Sequence, residues 1–327
     1  MDQPVGHSMQ LWLRARRRIW CLGAGWAAVA GGLASGALSS AAAQPLAPAL
    51  TLLLVWFLAD PLLGTVWDLG ASPRGIWTQL QRPRGMGPTS PLVILPYTRP
   101  NSPAWRLAAR MDRLRVVWQE AVWPQAGHAF IALLGALGMA LAVGALLGRA
   151  AVALVVLSVA LSWLAARVRG SSRQHSANGS QAGLATLCAL GEFGIPWMIG
   201  CLAFSQLAIP AAALGISYTI AYAGLLERPV KIRPREQRAV APCAVPCSSA
   251  LRKGTGLTLA LVGQLAALCL LVGLRQPLAA AAAAVFLVAQ WWLHEHADEG
   301  GAWEPYLRAA QPFMLASLLV AALGVGL

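Results

Sequence analysis

Nine times along the chain, apolar residues run for about the length that crosses a bilayer: at about 19–39, 46–66, 127–147, 150–168, 182–203, 205–226, 254–274, 277–294 and 310–327. A hydrocarbon core of about 30 Å takes roughly 20 predominantly apolar residues per helix, and lipid offers the backbone no partner outside its own helix. The recurrence predicts an all-α, polytopic integral membrane bundle. The links between 127–147 and 150–168, and between 182–203 and 205–226, are so short that each pair reads as a tight helical hairpin. The first run is followed by more membrane sequence, not by a small-residue cleavage site and a soluble domain, so it is expected to be a span.

Charge supports this count independently. Only 37 of the 327 residues are Lys, Arg, Asp or Glu, against roughly a quarter in an average soluble domain. So few charges cannot cover a water-facing surface, which excludes an ordinary soluble enzyme, a disordered chain and a disulfide scaffold. Of the 25 cations, 23 are arginines, clustered between the apolar runs. Nine spans with a cytoplasmic N-terminus put 23 cations on the inner side and leave only Arg149 and Arg275 outside. The apolar runs alone also admit eight or ten spans; the charge split favours nine, N-in and C-out.

The expected organisation is a basic cytoplasmic N-terminus at 1–18 and one membrane domain at 19–327, in the cytoplasmic (inner) membrane, with its basic loops cytoplasmic. The net charge of +13 would suggest nucleic acid in a soluble chain. Here the arginines lie where a membrane topology already demands them, so the expected partner is the bilayer and no nucleic acid. Trp20, Trp67, Trp123, Trp163 and Trp303 fall near span ends, as interfacial anchoring predicts. The six cysteines lie mostly inside apolar runs and read as small packing residues.

The segment at 67–126 is long for a bundle connection. Its first half is rich in Pro and Gly; then Ser102 and Pro103 open PAWRLAARMDRLRVVWQEAVW, with a capping serine and a proline at the first helical position. Trp105, Ala108, Met111, Trp118 and Val122 can share one side of that helix, opposite Arg106, Arg110, Asp112 and Arg113. The pattern suits an interfacial helix on the cytoplasmic surface, or equally a lid over the bundle.

Ionisable residues inside membrane helices are the informative ones, because each is expensive in lipid unless paired or hydrated. The second span ends LADPLLGTVWDLGASPR, with Asp60 and Asp68 eight residues apart. On a continuous helix both carboxylates share a face, although Pro61 disturbs its path. Such a pair suits a cation or a metal-phosphate site; it also suits ion pairing with the basic face.

With nine spans, an acidic segment closing span two and a charged loop after span six, the chain resembles the UbiA-type intramembrane prenyltransferases. These join isoprenoid diphosphates to aromatic or tetrapyrrole acceptors. The family carries NDxxDxxxD after span two and an aspartate-rich motif after span six, which together hold Mg²⁺ on the diphosphate. With the last aspartate of the first motif set on Asp68, Asp60 takes the Asn position, while Pro61 and Gly64 take those of the other two aspartates. After span six the acids are Glu227 and Glu236, among Arg228, Lys231, Arg233, Arg235 and Arg238. A Mg²⁺ site needs converging hard oxygens, whereas this loop offers cations, suited to an anionic headgroup or to the positive-inside bias alone.

Glu192 lies mid-span in LCALGEFGIPWMIG, between Gly191 and Gly194, with Pro196 able to open the helix. Gln206, Ser217, Tyr218 and Tyr222 of span six are its candidate partners, or the lining of a polar pocket for a ligand's carbonyl or hydroxyl. His294 and His296, with Glu295, Asp298 and Glu299, offer metal donors, but positions i and i+2 diverge on a helix and a solvated end is the plainer reading. Cys243 and Cys247 lack the second donor pair of a zinc site, and His128 is a lone helix-end histidine that suits a chlorin or haem, or a plain hydrogen bond.

Two expectations follow from the resemblance. In the first, the metal chemistry is lost and the chain binds an isoprenoid-type lipid (a quinone, a carotenoid or a chlorophyll tail) through Asp68, Glu192, Tyr218, Tyr222, Arg228, Lys231, Arg233 and Arg235, and serves as an accessory subunit of a larger membrane complex. In the second, it is a divergent Mg²⁺-dependent prenyltransferase using Asp60, Asp68 and Glu227.

Overall fold

The computed structural model describes residues 22–37, 45–71, 111, 123–171, 179–204, 208–226, 247–297 and 303–327, with side chains described except at 68–71, 123–129, 169–171, 179–182, 247–255, 294–297 and 303–308. These residues are helical nearly throughout, and no strand occurs among them. In chain order the elements are α1 (Ala24–Ala34), α2 (Leu46–Phe57), a first π-helical segment (Leu58–Leu63), α3 (Gly64–Ala71), α4 (Trp123–Leu147) and α5 (Arg149–Ser171). They continue with α6 (Gly179–Ala189), a second π-helical segment (Leu190–Gly194), α7 (Ile195–Phe204), α8 (Ile209–Leu226), α9 (Cys247–Gly273), α10 (Pro277–Ala297) and α11 (Trp303–Gly326).

Among the described residues, seven helical stretches are long and apolar enough to cross a membrane: Leu46–Trp67, Phe130–Leu147, Arg149–Val168, Gly183–Phe204, Ile209–Leu226, Gly256–Gly273 and Ala309–Gly326. Two shorter apolar helices, Ala24–Ala34 and Pro277–Leu293, join them. The outward faces are apolar too. Phe130, Ile131, Leu134, Met139 and Leu146 of α4 are exposed, as are Val156, Leu157 and Leu164 of α5. A contiguous greasy surface of this kind is incompatible with water and suits lipid. The chain is an integral membrane helical bundle.

Small residues set the packing. Association inside lipid depends on close contact, which favours Gly and Ala at crossings. α1 runs through the middle of the bundle. A methyl group on Gly31 would overlap the Trp197 carbonyl of α7, and one on Gly200 would overlap the Ala28 carbonyl of α1. Cys201 donates its thiol to the Gly31 carbonyl at 3.3 Å across this seam. On another side, Gly326 of α11 meets the Leu33 carbonyl. α8 and α9 pair in the same way, Gly224 against Gly256 and Gly263 against Ser217.

The tight hairpin expected between 127–147 and 150–168 is present. Gly148 joins α4 to α5 with φ of +122°, a conformation that a residue with a Cβ rarely adopts. In the α9–α10 turn Arg275 takes the left-handed position at φ 59°. The helix expected within 67–126 falls outside the described residues, apart from the helical Met111; α3 carries the preceding rod on to Ala71.

Candidate functional site

Among the described residues, both acids inside the spans sit on the two π-helical segments. Asp60 and Pro61 lie in Leu58–Leu63, and Glu192 lies in Leu190–Gly194. Proline explains why the turns widen there. It has no N–H to continue the ladder, and in an α-helix its ring collides with the carbonyl four residues earlier. For Pro196 that carbonyl belongs to Glu192, and an extra residue in the turn relieves the collision. The rod from Leu46 to Ala71 therefore continues past Pro61, and Thr65 returns its hydroxyl to the Pro61 carbonyl.

Glu192 is half-buried, and its Oε2 accepts a hydrogen bond from the Tyr222 hydroxyl of α8 at 3.1 Å. Phe193 supplies an aromatic wall next to it. Its ring stacks on Tyr222 with centroids 5.5 Å apart and on Trp197 with centroids 6.3 Å apart. Trp197 is locked in turn, because its indole N–H donates to the Ala211 carbonyl at 3.0 Å and its ring fills the space left by Gly215. The Phe193 and Trp197 rings are both fully buried, so they form a fixed backing for one carboxyl–hydroxyl pair at their edge.

Trp67 ties the second span to this wall. It stands two turns beyond Asp60, and its indole packs so tightly on Gly191 that a methyl group there would overlap the ring. Its N–H donates to Ser158 Oγ of α5 at 2.9 Å. Asp60 is half-buried and faces α1, where a Cβ on Gly25 would come within 3.0 Å of the Asp60 Cβ. α1 lies against both π segments. By contrast, a Cβ on Gly64 would meet nothing within 4 Å, which leaves open space on the half-buried face between Asp60 and Trp67.

Of the partners expected for Glu192, Tyr222 is bonded to it, while Tyr218 is buried and shares a hydrogen bond with Ser317 of α11 at 2.7 Å. Ser217 turns back onto its own helix, donating to the Ala213 carbonyl at 2.9 Å. Gln206, Glu227, Arg228, Lys231, Arg233, Arg235, Glu236 and Cys243 lie outside the described residues. Asp68, His128, Cys247, His294 and His296 are on helices, with side chains outside the described set. Among the described residues no three His, Cys, Asp or Glu side chains come together, so these by themselves make no Mg²⁺ cage.

No protein-family model, curated protein or solved structure matches the chain.

Two features escaped the reading of the sequence. The π geometry at both acids had a visible signal in Asp60-Pro61 and in Glu192 four residues before Pro196. The buried amide pair of Gln264 and Gln290 had one too, since each is the one amide side chain in its apolar run.

Proposed function

We propose that this protein is a non-catalytic relative of the UbiA-type prenyltransferases that holds an isoprenoid-type lipid within the bundle. The observation that carries the reading is the Glu192–Tyr222 pair set against the Phe193–Trp197 wall. A binding site inside a bundle joins a large apolar surface to a few placed polar groups. The half-buried Glu192, paired with Tyr222 and braced by the buried Phe193 and Trp197 rings, takes the carbonyl or hydroxyl end of a quinone, carotenoid or chlorophyll tail. Pro61 and Gly64, at positions where the resemblance calls for aspartates, favour retention without transfer. The open space at Gly64 provides room where such a side chain would project.

The proposed setting is the inner membrane, N-terminus inside, with Arg228, Lys231, Arg233 and Arg235 on the cytoplasmic side and a larger membrane complex as the docking partner. The alternative, transfer through Asp60, Asp68 and Glu227, draws on the continuous helical path from Leu58 to Ala71, which carries both aspartates. Two assays separate the readings. Organic extraction of the purified protein followed by mass spectrometry is expected to release an isoprenoid; bulk phospholipid alone would overturn the proposal. Membranes given a labelled prenyl diphosphate and Mg²⁺ are expected to form no prenylated product, and product lost on Asp68→Ala would establish the transferase instead.

A further inference from the structure

Halfway along three of the spans, the bundle holds polar side chains where lipid-embedded helices carry few. Tyr218, Gln264 and Ser317 each fall at the middle of their spans, Ile209–Leu226, Gly256–Gly273 and Ala309–Gly326. Tyr218 and Ser317 satisfy one another. Gly263 brings α9 onto the Ser217 carbonyl, which sets Gln264 at the same level. There Gln264 Nε2 donates to Gln290 Oε1 of α10 at 2.9 Å.

Both glutamines are 4% exposed, and their other amide atoms, Gln264 Oε1 and Gln290 Nε2, are buried without a hydrogen-bond partner. Two facing amides can close a ring with two bonds, so that each oxygen and each nitrogen is engaged at least once; here only one bond is made. Exchanging O and N in both side chains does not remove the mismatch. One residue then presents an unmet donor and the other an unmet acceptor, as before. Hydrocarbon around the bundle supplies no partner for either, and an unmet amide is strongly disfavoured there.

We infer that Gln264 and Gln290 form a second polar site that takes a single hydroxyl group, which bridges α9 and α10 at mid-bundle. The hydroxyl donates to the free carbonyl oxygen and accepts from the free amide nitrogen. Other chemistries match less well. A carboxylate or a ketone only accepts and leaves Gln264 Oε1 unmet, and an ammonium only donates and leaves Gln290 Nε2 unmet. Two sources offer this group: a buried water, or the alcohol head of an amphiphile.

The test uses the wild-type protein crystallised from a lipidic mesophase, together with thermal unfolding in nanodiscs given geranylgeraniol or its methyl ether, which lacks the donor. An isolated density peak touching both amides, with an unfolding midpoint that neither compound moves, identifies water. Density continuous with a chain, or a midpoint raised several degrees by the alcohol alone and no longer raised in Gln264→Met and Gln290→Met, identifies the amphiphile. Amides closed into a doubly bonded pair, or turned onto other protein groups with no density between them, would overturn the site. Because the density arm needs no substitution, a variant that fails to fold leaves the answer intact.

Discussion

The Tyr222 hydroxyl donates to Glu192 Oε2 at 3.1 Å, joining α8 to a π-helical segment 30 residues earlier in the chain. In lipid a carboxyl group is tolerated only with such company. The pair should therefore be coupled in stability as well as close in space. A double-mutant cycle with Glu192→Leu and Tyr222→Phe, read by reversible unfolding in bicelles, is expected to give a coupling of about 0.6–1.7 kcal/mol. Additive effects would mean that the bond contributes nothing in the bilayer.

Gly191 is the point where the second span meets the aromatic wall. The Trp67 ring covering it is held by its bond to Ser158 and is 2% exposed, so it has nowhere to retreat. Gly191→Ala is expected to destabilise the protein by about 1–3 kcal/mol through overpacking. Gly183 lies earlier on the same rod, where an added Cβ meets nothing within 4 Å. Gly183→Ala should be neutral, or stabilising by up to about 1 kcal/mol through reduced backbone freedom. Equal midpoints for the two variants in a thermal scan would contradict the Trp67 seating.

Orientation is open to a direct check. Arg275 is exposed in the turn between α9 and α10, on the side that the charge distribution assigns to the outside. A single cysteine at Arg275, in a background lacking the native six, is expected to react with an impermeant maleimide in intact cells. One at Arg235 should react only after permeabilisation. The reverse pattern would overturn the N-in, C-out assignment.

Seven of the nine expected spans appear at membrane length among the described residues, legible because the lipid requirement acts on composition over some twenty residues; the runs at 19–39 and 277–294 appear as the shorter helices Ala24–Ala34 and Pro277–Leu293. Apolar runs about 46–66 and 310–327 correspond to helical stretches Leu46–Trp67 and Ala309–Gly326. The link from Tyr222 to Glu192 was legible for a related reason, since a buried acid demands a donor and few donors stand near it. What could not be read was which tyrosine would serve. Tyr218 and Tyr222 are one turn apart on α8, yet one meets Glu192 and the other Ser317. That choice depends on how α8 is rotated against α11, a tertiary relationship that the sequence of α8 alone does not carry. Pro61 disturbs its helix, as its lack of an N–H foretells, but through an added residue in the turn instead of a break.

The retention of an isoprenoid-type lipid is tested most directly by its molar ratio to protein after purification and organic extraction, for wild type, Tyr222→Phe and Gly64→Leu. The wild type is expected to hold about one molecule per chain. Tyr222→Phe should weaken the affinity behind that ratio about fivefold to tenfold, the loss of one hydrogen bond of about 1–1.5 kcal/mol, and so lower the ratio. Gly64→Leu, which fills the space left open there, should reduce it further while the protein stays folded. An unchanged ratio across all three proteins, or no isoprenoid in the wild type, would contradict the assignment of this site.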